Sequence, residues 1–131
     1  MFSELKRIYD VFQSIGIEDP FSETLKLFNI TSGGVLSSID ESTIIPRHIS
    51  LSQIAQKRKD GVPLEYILGS AHFAGLHLHC SSNTIIPTEY TKLLVEVALD
   101  FIENRQLSER HQIVVDVGTG CGNIAILLGL Y

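Results

Sequence analysis

The sequence predicts a multi-domain α/β protein, with a helical bundle first, a β-hairpin linker next and the opening of an α/β domain last. Apolar residues recur at helical spacing over residues 1–60. Polar and apolar side chains alternate over residues 72–80, as they do in a strand pair. A short β-branched run over residues 113–117 leads into a glycine-rich turn and an apolar helix. These observations predict domains at residues 1–60, 61–87 and 88–131, the last of them incomplete.

Composition and charge exclude several classes of protein. Hydrophobic residues make up 44% and charged residues 19% of the chain, which excludes wholesale disorder. The formal net charge of −5 does not give the basic field of a nonspecific nucleic-acid binder, so we predict no direct nucleic-acid partner. No apolar run approaches the roughly 20 residues that cross a bilayer, so no membrane partner is expected. Neither Cys80 nor Cys121 belongs to a Cys-x-x-Cys pair, which favours a reducing cytoplasm.

The bundle begins with two predicted helices. The first ends at Gly16, and its apolar stripe consists of Leu5, Ile8, Tyr9, Phe12 and Ile15. The second begins at Asp19 and Pro20, where an aspartate N-cap precedes a proline in the first turn. Its apolar face consists of Phe21, Leu25 and Phe28. Residues 31–46 are rich in Ser, Thr and Gly, which predicts a loop.

A third helix has the clearest start signal in the chain. Ser50 and Gln53 have the spacing of a capping box, and Gly61 is expected to end the helix. Its buried side chains are predicted to be Leu51, Ile54 and Ala55. Its last turn carries three cations, which are Lys57, Arg58 and Lys59. We interpret these cations as stabilising the helix by interacting with the negative end of its dipole. Binding of nucleic acid is the alternative interpretation.

The second half of the chain predicts a hairpin and a long helix. The alternating residues from His72 to Cys80 predict a strand pair that bends at Ala74 and Gly75. Thr88 is expected to cap a helix that runs over residues 89–105. The side chains that this helix is predicted to bury are Leu94, Val97, Ala98 and Phe101.

The turn that follows the predicted strand from Ile113 to Val117 carries the most chemical information. Asp116 ends the strand, and glycines at 118, 120 and 122 follow before a helix over residues 124–130. Glycines permit positive φ angles, and amides at a helix start can hold a negative group. The dinucleotide fingerprint fails from Gly118, because its sixth position is Asn123. From Gly120 it fits as far as Ala125, but this leaves Asp116 unexplained; a purely structural turn is a further alternative.

The register Asp116-x-Gly118-x-Gly120-x-Gly122 resembles motif I of class I S-adenosylmethionine-dependent methyltransferases, which are Rossmann-like. The resemblance implies that the aspartate favours the amino group of the methionine part of the cofactor and that the turn lies along it. The cofactor-binding residues implied in this way are Asp116, Gly118, Thr119, Gly120, Cys121 and Gly122.

A longer run makes the resemblance more specific. It reads Arg58-x-x-Gly61-x-Pro63-Leu64-Glu65-Tyr66-Ile67-Leu68-Gly69, and Phe73-x-Gly75-Leu76 and Ile85-Ile86-Pro87 come after it. Together these segments are similar to the PrmC/HemK family of protein-(glutamine-N5) methyltransferases. The resemblance implies methylation of the Gly-Gly-Gln glutamine of a peptide-chain release factor, with S-adenosylmethionine as cofactor and a helical domain that recognises the substrate. It also implies that Glu65 and Tyr66 are structural and brace the linker against the cofactor domain.

The chain departs from the family pattern at two places. Thr88 and Lys92 stand where the family usually has an arginine and an acid. The Asn-Pro-Pro-Tyr segment that holds the substrate amide and the second strand, with its acid for the ribose, are absent from the 131 residues. We therefore assign no catalytic residue and expect this chain alone to be inactive. A non-catalytic binding module or a truncated remnant is the alternative.

The unpaired strand predicted from Ile113 to Val117 leads to a structural expectation. A parallel strand needs neighbours and covered faces, so we expect residues beyond 112 to pack on the preceding helix, join a second copy or be marginally ordered.

Two other groups of residues were candidates for chemistry. His77, His79 and Cys80 lie close together, with His72 nearby, and His77 and His79 share a strand face, which permits metal ligation. An exposed polar face opposite Leu76 and Leu78 is the preferred interpretation, and no metal site is predicted. Cys121 lies near a helix start, but without a recognisable histidine partner it is not predicted to be catalytic.

Overall fold

A computed structural model describes residues 2–32, 45–104 and 113–131. Within these ranges the chain forms six helices and a two-stranded sheet, so it mixes helix and sheet as predicted. In chain order the elements are α1 (Phe2–Ser14), α2 (Pro20–Ser32), α3 (Leu51–Lys59), α4 (Leu64–Leu68), β1 (Ser70–Phe73), β2 (Leu76–His79), α5 (Glu89–Asn104) and α6 (Asn123–Leu128). In the described ranges, no helix combines the length and the apolar character needed to cross a bilayer.

Helix α2 begins as predicted but buries a different face. The Asp19 carboxylate accepts a hydrogen bond from the Ser22 amide at 3.0 Å, which confirms the N-cap. The predicted apolar face is wrong in part, because Phe21 is 64% and Leu25 41% exposed, whereas Phe28 is buried. The buried side of the helix includes Thr24, whose hydroxyl donates to the Pro20 carbonyl at 2.7 Å. A threonine satisfied in this way can enter a core, so apolar periodicity alone misplaced the face.

Helix α3 has the predicted ends. The Ser50 side chain accepts a hydrogen bond from the Gln53 amide at 3.3 Å, and the Gln53 side chain accepts one from the Ser50 amide at 2.9 Å. At the other end Gly61 has a φ of +84°, and the Val62 amide donates to the Lys57 carbonyl at 3.0 Å. This is a Schellman motif, in which glycine relieves the strain of a left-handed backbone. The capping box and the glycine stop are both confirmed.

The first hydrophobic core lies among helices α1 to α4. Its ten buried residues are Ile8, Phe12, Leu27, Phe28, Ile30, Leu51, Ile54, Ala55, Leu64 and Ile67. The predicted stripe of α1 and the buried face of α3 are represented in it. Leu64 and Ile67 belong to α4, so the helical region extends beyond residue 60. Most of the loop predicted over residues 31–46 lies outside the described residues. Its first two residues belong to α2, which ends at Ser32.

The hairpin of β1 and β2 confirms the predicted strand pair and its bend. The strands are antiparallel, with Phe73 opposite Leu76 and a two-residue turn at Ala74 and Gly75, whose φ angles are +48° and +81°. Positive φ angles at both turn residues match the right-handed twist of a hairpin. One face is buried and consists of Ala71, Phe73, Leu78 and Cys80. The histidines lie on the other face.

Helix α5 confirms the predicted long helix, but the buried face was predicted wrongly. Val95 is 1% exposed and packs with Leu127 of α6 and with two hairpin residues, Phe73 and Leu78, in a second core of four buried residues. The predicted core residues Leu94, Val97 and Phe101 are 56%, 58% and 51% exposed, and Ala98 is half-buried. The hairpin and α6 both lie on the Val95 side, and no described strand covers the opposite side. The predicted end near Arg105 lies outside the described residues.

The strand predicted from Ile113 to Val117 is wrong. No strand of the described ranges pairs with this segment, and Ile113, Val115 and Val117 are 91%, 74% and 90% exposed. A parallel strand forms only where neighbouring strands pair with its backbone, and the described sheet consists of β1 and β2 alone. The segment instead borders the apolar side of α5, and the two enclose a cleft of about 530 Å³. We expected the region beyond residue 112 to pack on the preceding helix, to join a second copy or to be marginally ordered. Packing on α5 is seen for α6 through Leu127 and Val95, whereas most of residues 113–117 are exposed.

Helix α6 is shorter than the predicted helix over residues 124–130. It begins at Asn123 and ends at Leu128, with Gly129 as C-cap. Leu127 is its main contribution to the second core, with Ile124 and Leu128 packed beside it.

Candidate glycine-turn site

The glycine-rich turn joins the extended segment to the start of α6. Gly118, Gly120 and Gly122 have φ angles of +77°, +58° and +80°. Other residues rarely adopt these angles, which is why the turn carries glycine at three alternate positions. The Gly122 amide donates to the Thr119 carbonyl at 2.9 Å, and the Gly122 carbonyl accepts from the Ile126 amide at 2.8 Å. The turn is therefore tied to the first turn of α6.

The two ends of the turn differ in accessibility. A Cβ atom added at Gly118 would meet no atom within 4 Å, and the backbone there is exposed. Gly122 is crowded, because a Cβ atom there would lie 3.3 Å from the Ile126 side chain. A ligand can therefore approach the turn from the Gly118 side, and Gly122 serves the packing of α6.

Asp116 precedes the turn and is half-buried. One oxygen of its carboxylate, Oδ2, is buried without a hydrogen-bond partner. Such an oxygen favours a cation or a donor, because burying an unpaired carboxylate is costly. The side chain lines a cleft of about 260 Å³ together with Ile102, Val114, Ala125, Leu128 and Gly129. None of residues 118–122 lines that cleft.

Five of the six predicted site residues therefore lie together in one turn, whereas Asp116 lines the cleft of about 260 Å³. Thr119 is exposed, and Cys121 is half-buried with its side chain against the second core. The groups present fit the amino-acid end of S-adenosylmethionine in their chemistry, because an open turn with amides and an unpaired carboxylate are both available. Asp116 and the turn do not line the same cleft.

The sequence is similar to that of enzymes from several bacteria. It is 36% identical over 121 residues to the release factor glutamine methyltransferase of Pasteurella multocida (strain Pm70). The aligned region covers 84% of this chain and 41% of that relative. It is 37% identical over 93 residues to that of Haemophilus influenzae (strain ATCC 51907 / DSM 11121 / KW20 / Rd), with 70% and 30% covered. No protein-family model matches the chain.

Over most of its length, this chain is similar to release factor glutamine methyltransferases. It spans about two fifths or less of the length of these relatives.

The run that carries the family resemblance is held by contacts between helices. Arg58 donates from Nε to Glu23 of α2 at 2.8 Å and from Nη1 to the Val62 carbonyl at 2.9 Å. Lys26 of α2 lies 3.1 Å from the buried carboxylate of Glu65. Arg58 is thus engaged in the fold, which supports the structural interpretation of the cationic turn. Neither ion pair has a local sequence signal, because the partners are 35 or more positions apart.

Tyr66 connects the helical region with the segment after the hairpin. Its hydroxyl donates to the Thr84 carbonyl at 2.7 Å. This contact supports the prediction that Tyr66 is structural. Glu65 is structural as well, but it braces α4 against α2.

At the two positions that depart from the family pattern, the side chains make only local contacts among those described. The Thr88 hydroxyl lies 3.3 Å from the Thr91 hydroxyl, and Lys92 lies 3.7 Å from Glu96. Both contacts are within the start of α5 and lie near the surface.

The two thiols are expected to differ in reactivity. Burial raises the pKa of Cys80, the Thr84 hydroxyl at 3.6 Å opposes this rise, and the charges of Cys121 and Glu65 add to it. Less thiolate is then present at a given pH, and Cys80 is also inaccessible. We expect iodoacetamide at pH 8 to label Cys121 well before Cys80, as measured by mass spectrometry of peptides.

Unfolding in urea is the control for this labelling experiment, because both thiols should then react at similar rates. Equal rates in the folded chain would contradict the burial of Cys80. The raised pKa also has a consequence for stability. The contribution of the neutral thiol is fully present below its unfolded pKa of about 8.5 and is lost as the pH rises through the folded value.

Proposed function

We propose that this chain is the cofactor-side part of an S-adenosylmethionine-dependent methyltransferase that acts on a glutamine side-chain amide of a release factor. The proposal is supported by relatives named release factor glutamine methyltransferase, one of which matches 84% of this chain. The observation that carries the proposal is the turn of three glycines with positive φ that directly follows Asp116. A cytoplasmic location, a release factor as partner and contact with a second copy through residues 113–117 belong to the same proposal.

The turn and Asp116 each have a separate task in this proposal. The exposed amides of the turn donate to the carboxylate of the cofactor's methionine part, and Asp116 accepts from its ammonium group. When bound, the cofactor supplies a methyl group on a sulfonium that an amide nitrogen can take up in one displacement. The task of the chain's own residues is to position that group. Orientation of the glutamine is assigned to an Asn-Pro-Pro-Tyr segment, which these 131 residues do not include.

A cofactor site requires Asp116 and the glycine turn to face the same cleft. Residues 113–117 are not in a sheet, so no ladder fixes the alternation of their side chains. We propose that binding of the cofactor draws this unpaired segment into a position where Asp116 and the glycine turn face one cleft, at a cost in affinity. Pairing with further strands would hold the segment in that position. The isolated chain is then expected to bind S-adenosylmethionine weakly and to transfer no methyl group.

Calorimetric titration with S-adenosylmethionine tests the proposal. We expect measurable binding to the chain and a loss of affinity of about tenfold or more in Asp116→Asn, because a charge-assisted hydrogen bond is removed. Asp60→Asn is the matched control, since Asp60 is an exposed acid at the end of α3 and should not affect the affinity. Absence of binding heat, or equal affinity in Asp116→Asn, would refute the cofactor assignment.

A second candidate function is a non-catalytic module that binds a release factor. The helical region has its own core of ten buried residues, whereas Asp116 and the glycine turn do not line the same cleft. Binding of a release factor to this chain in the absence of S-adenosylmethionine, unchanged in Asp116→Asn, would favour the module. No binding of either ligand would favour a remnant without function.

A further inference from the structure

We propose that His72 and His77 form a two-imidazole site for a divalent transition-metal ion, with Zn²⁺ as the probe. The site lies on the outer face of the hairpin and is separate from the glycine turn. It does not depend on the proposed function. Sequence alone drew attention to His77 and His79 on one strand, whereas the structure pairs His77 with a residue of the other strand.

The hairpin register brings the two histidines directly opposite each other. His72 of β1 pairs with His77 of β2. The Cys80 amide donates to the Gly69 carbonyl at 3.0 Å, so positions 69 and 80 are a hydrogen-bonded pair. Hydrogen-bonded and non-hydrogen-bonded pairs alternate along an antiparallel ladder, which makes His72 and His77 a non-hydrogen-bonded pair. Side chains of such pairs lie closest together.

The distance between the rings matches shared coordination. The ring centroids of His72 and His77 are 5.4 Å apart, and the rings meet edge to face at 67°. Two imidazoles at adjacent corners of a tetrahedron, with metal–nitrogen distances of about 2.0–2.1 Å, have ring centroids roughly 5.2 Å apart. The separation of the rings therefore allows both to bind one ion when a nitrogen of each faces it.

The surroundings leave the pair accessible on a rigid support. Both histidines are exposed, while the opposite face of the hairpin is anchored in the second core through Phe73 and Leu78. Cys80 points into the interior and is excluded as a ligand. Among the described side chains no group of three metal-binding residues occurs, so water is expected to complete the coordination.

Calorimetric titration of the tag-free chain with ZnCl₂ tests this site. We expect one ion per chain, and a loss of affinity of at least about tenfold in His72→Ala and in His77→Ala, because each variant removes one of two ligands held at high effective concentration. His79→Ala is the matched control. It lies on the same face of β2, but it is opposite Ser70 and outside the ring contact.

Two further readouts separate ligation from a structural effect. Imidazole nitrogen resonances of His72 and His77 should shift on addition of Zn²⁺, and those of His79 should shift little. Circular dichroism should show that all three variants are folded, since the side chains are exposed. Equal losses in all three variants, unchanged affinity in His77→Ala, or no one-to-one binding would overturn the proposal. Failure here leaves the titration with S-adenosylmethionine unaffected.

Discussion

Phe12→Ala is expected to lower the free energy of unfolding of the helical region by about 3–5 kcal/mol. Phe12 is fully buried among α1, α2 and α3 and is the largest such side chain in the described part of the chain. Its removal loses the transfer free energy of the ring and leaves a cavity that the surrounding helices only partly fill. Urea unfolding followed by far-ultraviolet circular dichroism is the appropriate measurement, because the chain has no tryptophan.

The matched control is Phe21→Ala. Sequence placed both phenylalanines on apolar helix faces, but Phe21 is 64% exposed. Its truncation should therefore change stability by no more than roughly 0.5 kcal/mol. Similar effects of the two substitutions would mean that the buried face of α2 is not the one described.

Val95→Asp is expected to abolish the second core while the first core stays folded. Val95 is 1% exposed and contacts the hairpin and α6, so the new carboxylate would be buried without a partner. The loss of the apolar side chain alone is worth about 1.5–3 kcal/mol, and the unpaired charge adds several more. A core of four buried residues cannot absorb this loss. Hydrogen exchange measured by mass spectrometry should show loss of protection in α5 and α6 and retained protection in α1 to α3.

Leu94→Asp is the control for this experiment, at the adjacent position of the same helix. Leu94 is 56% exposed and lies on the side of α5 that borders residues 113–115. The substitution should leave exchange rates nearly unchanged and reduce self-association, because it breaks an exposed apolar patch. If Leu94→Asp were the more damaging of the two, the orientation of α5 would be wrong.

Local signals in the sequence were sufficient for the ends of helices and for turns. The capping box at Ser50, the stop at Gly61 and the bend at Ala74 and Gly75 depend on hydrogen bonds and φ angles of residues close in sequence. Such features need no information about distant parts of the chain. The glycine turn was predictable for the same reason.

Features that depend on distant contacts were predicted less well. The buried faces of α2 and α5 are set by which neighbours lie beside them, and both helices offer apolar residues on more than one side. A strand at residues 113–117 was predicted from β-branched residues, but strand structure requires a partner.

The candidate site shows the same division. The conformations of Gly118, Gly120 and Gly122 follow from their own residue type, whereas the surroundings of Asp116 are set by residues of α5 and α6. The opposed histidines likewise became visible only through the hairpin register. Spacing along one strand had pointed to a different pair.

The hydrogen bond between Tyr66 and the Thr84 carbonyl has a consequence for how order is lost. The Cys80 amide donates to the carbonyl of Gly69, the C-cap of α4, so two hydrogen bonds tie the chain that follows β2 to α4. We therefore expect fraying that begins in α5 or α6 to stop at Thr84. The helical region then keeps the base of the hairpin even when everything that follows has detached.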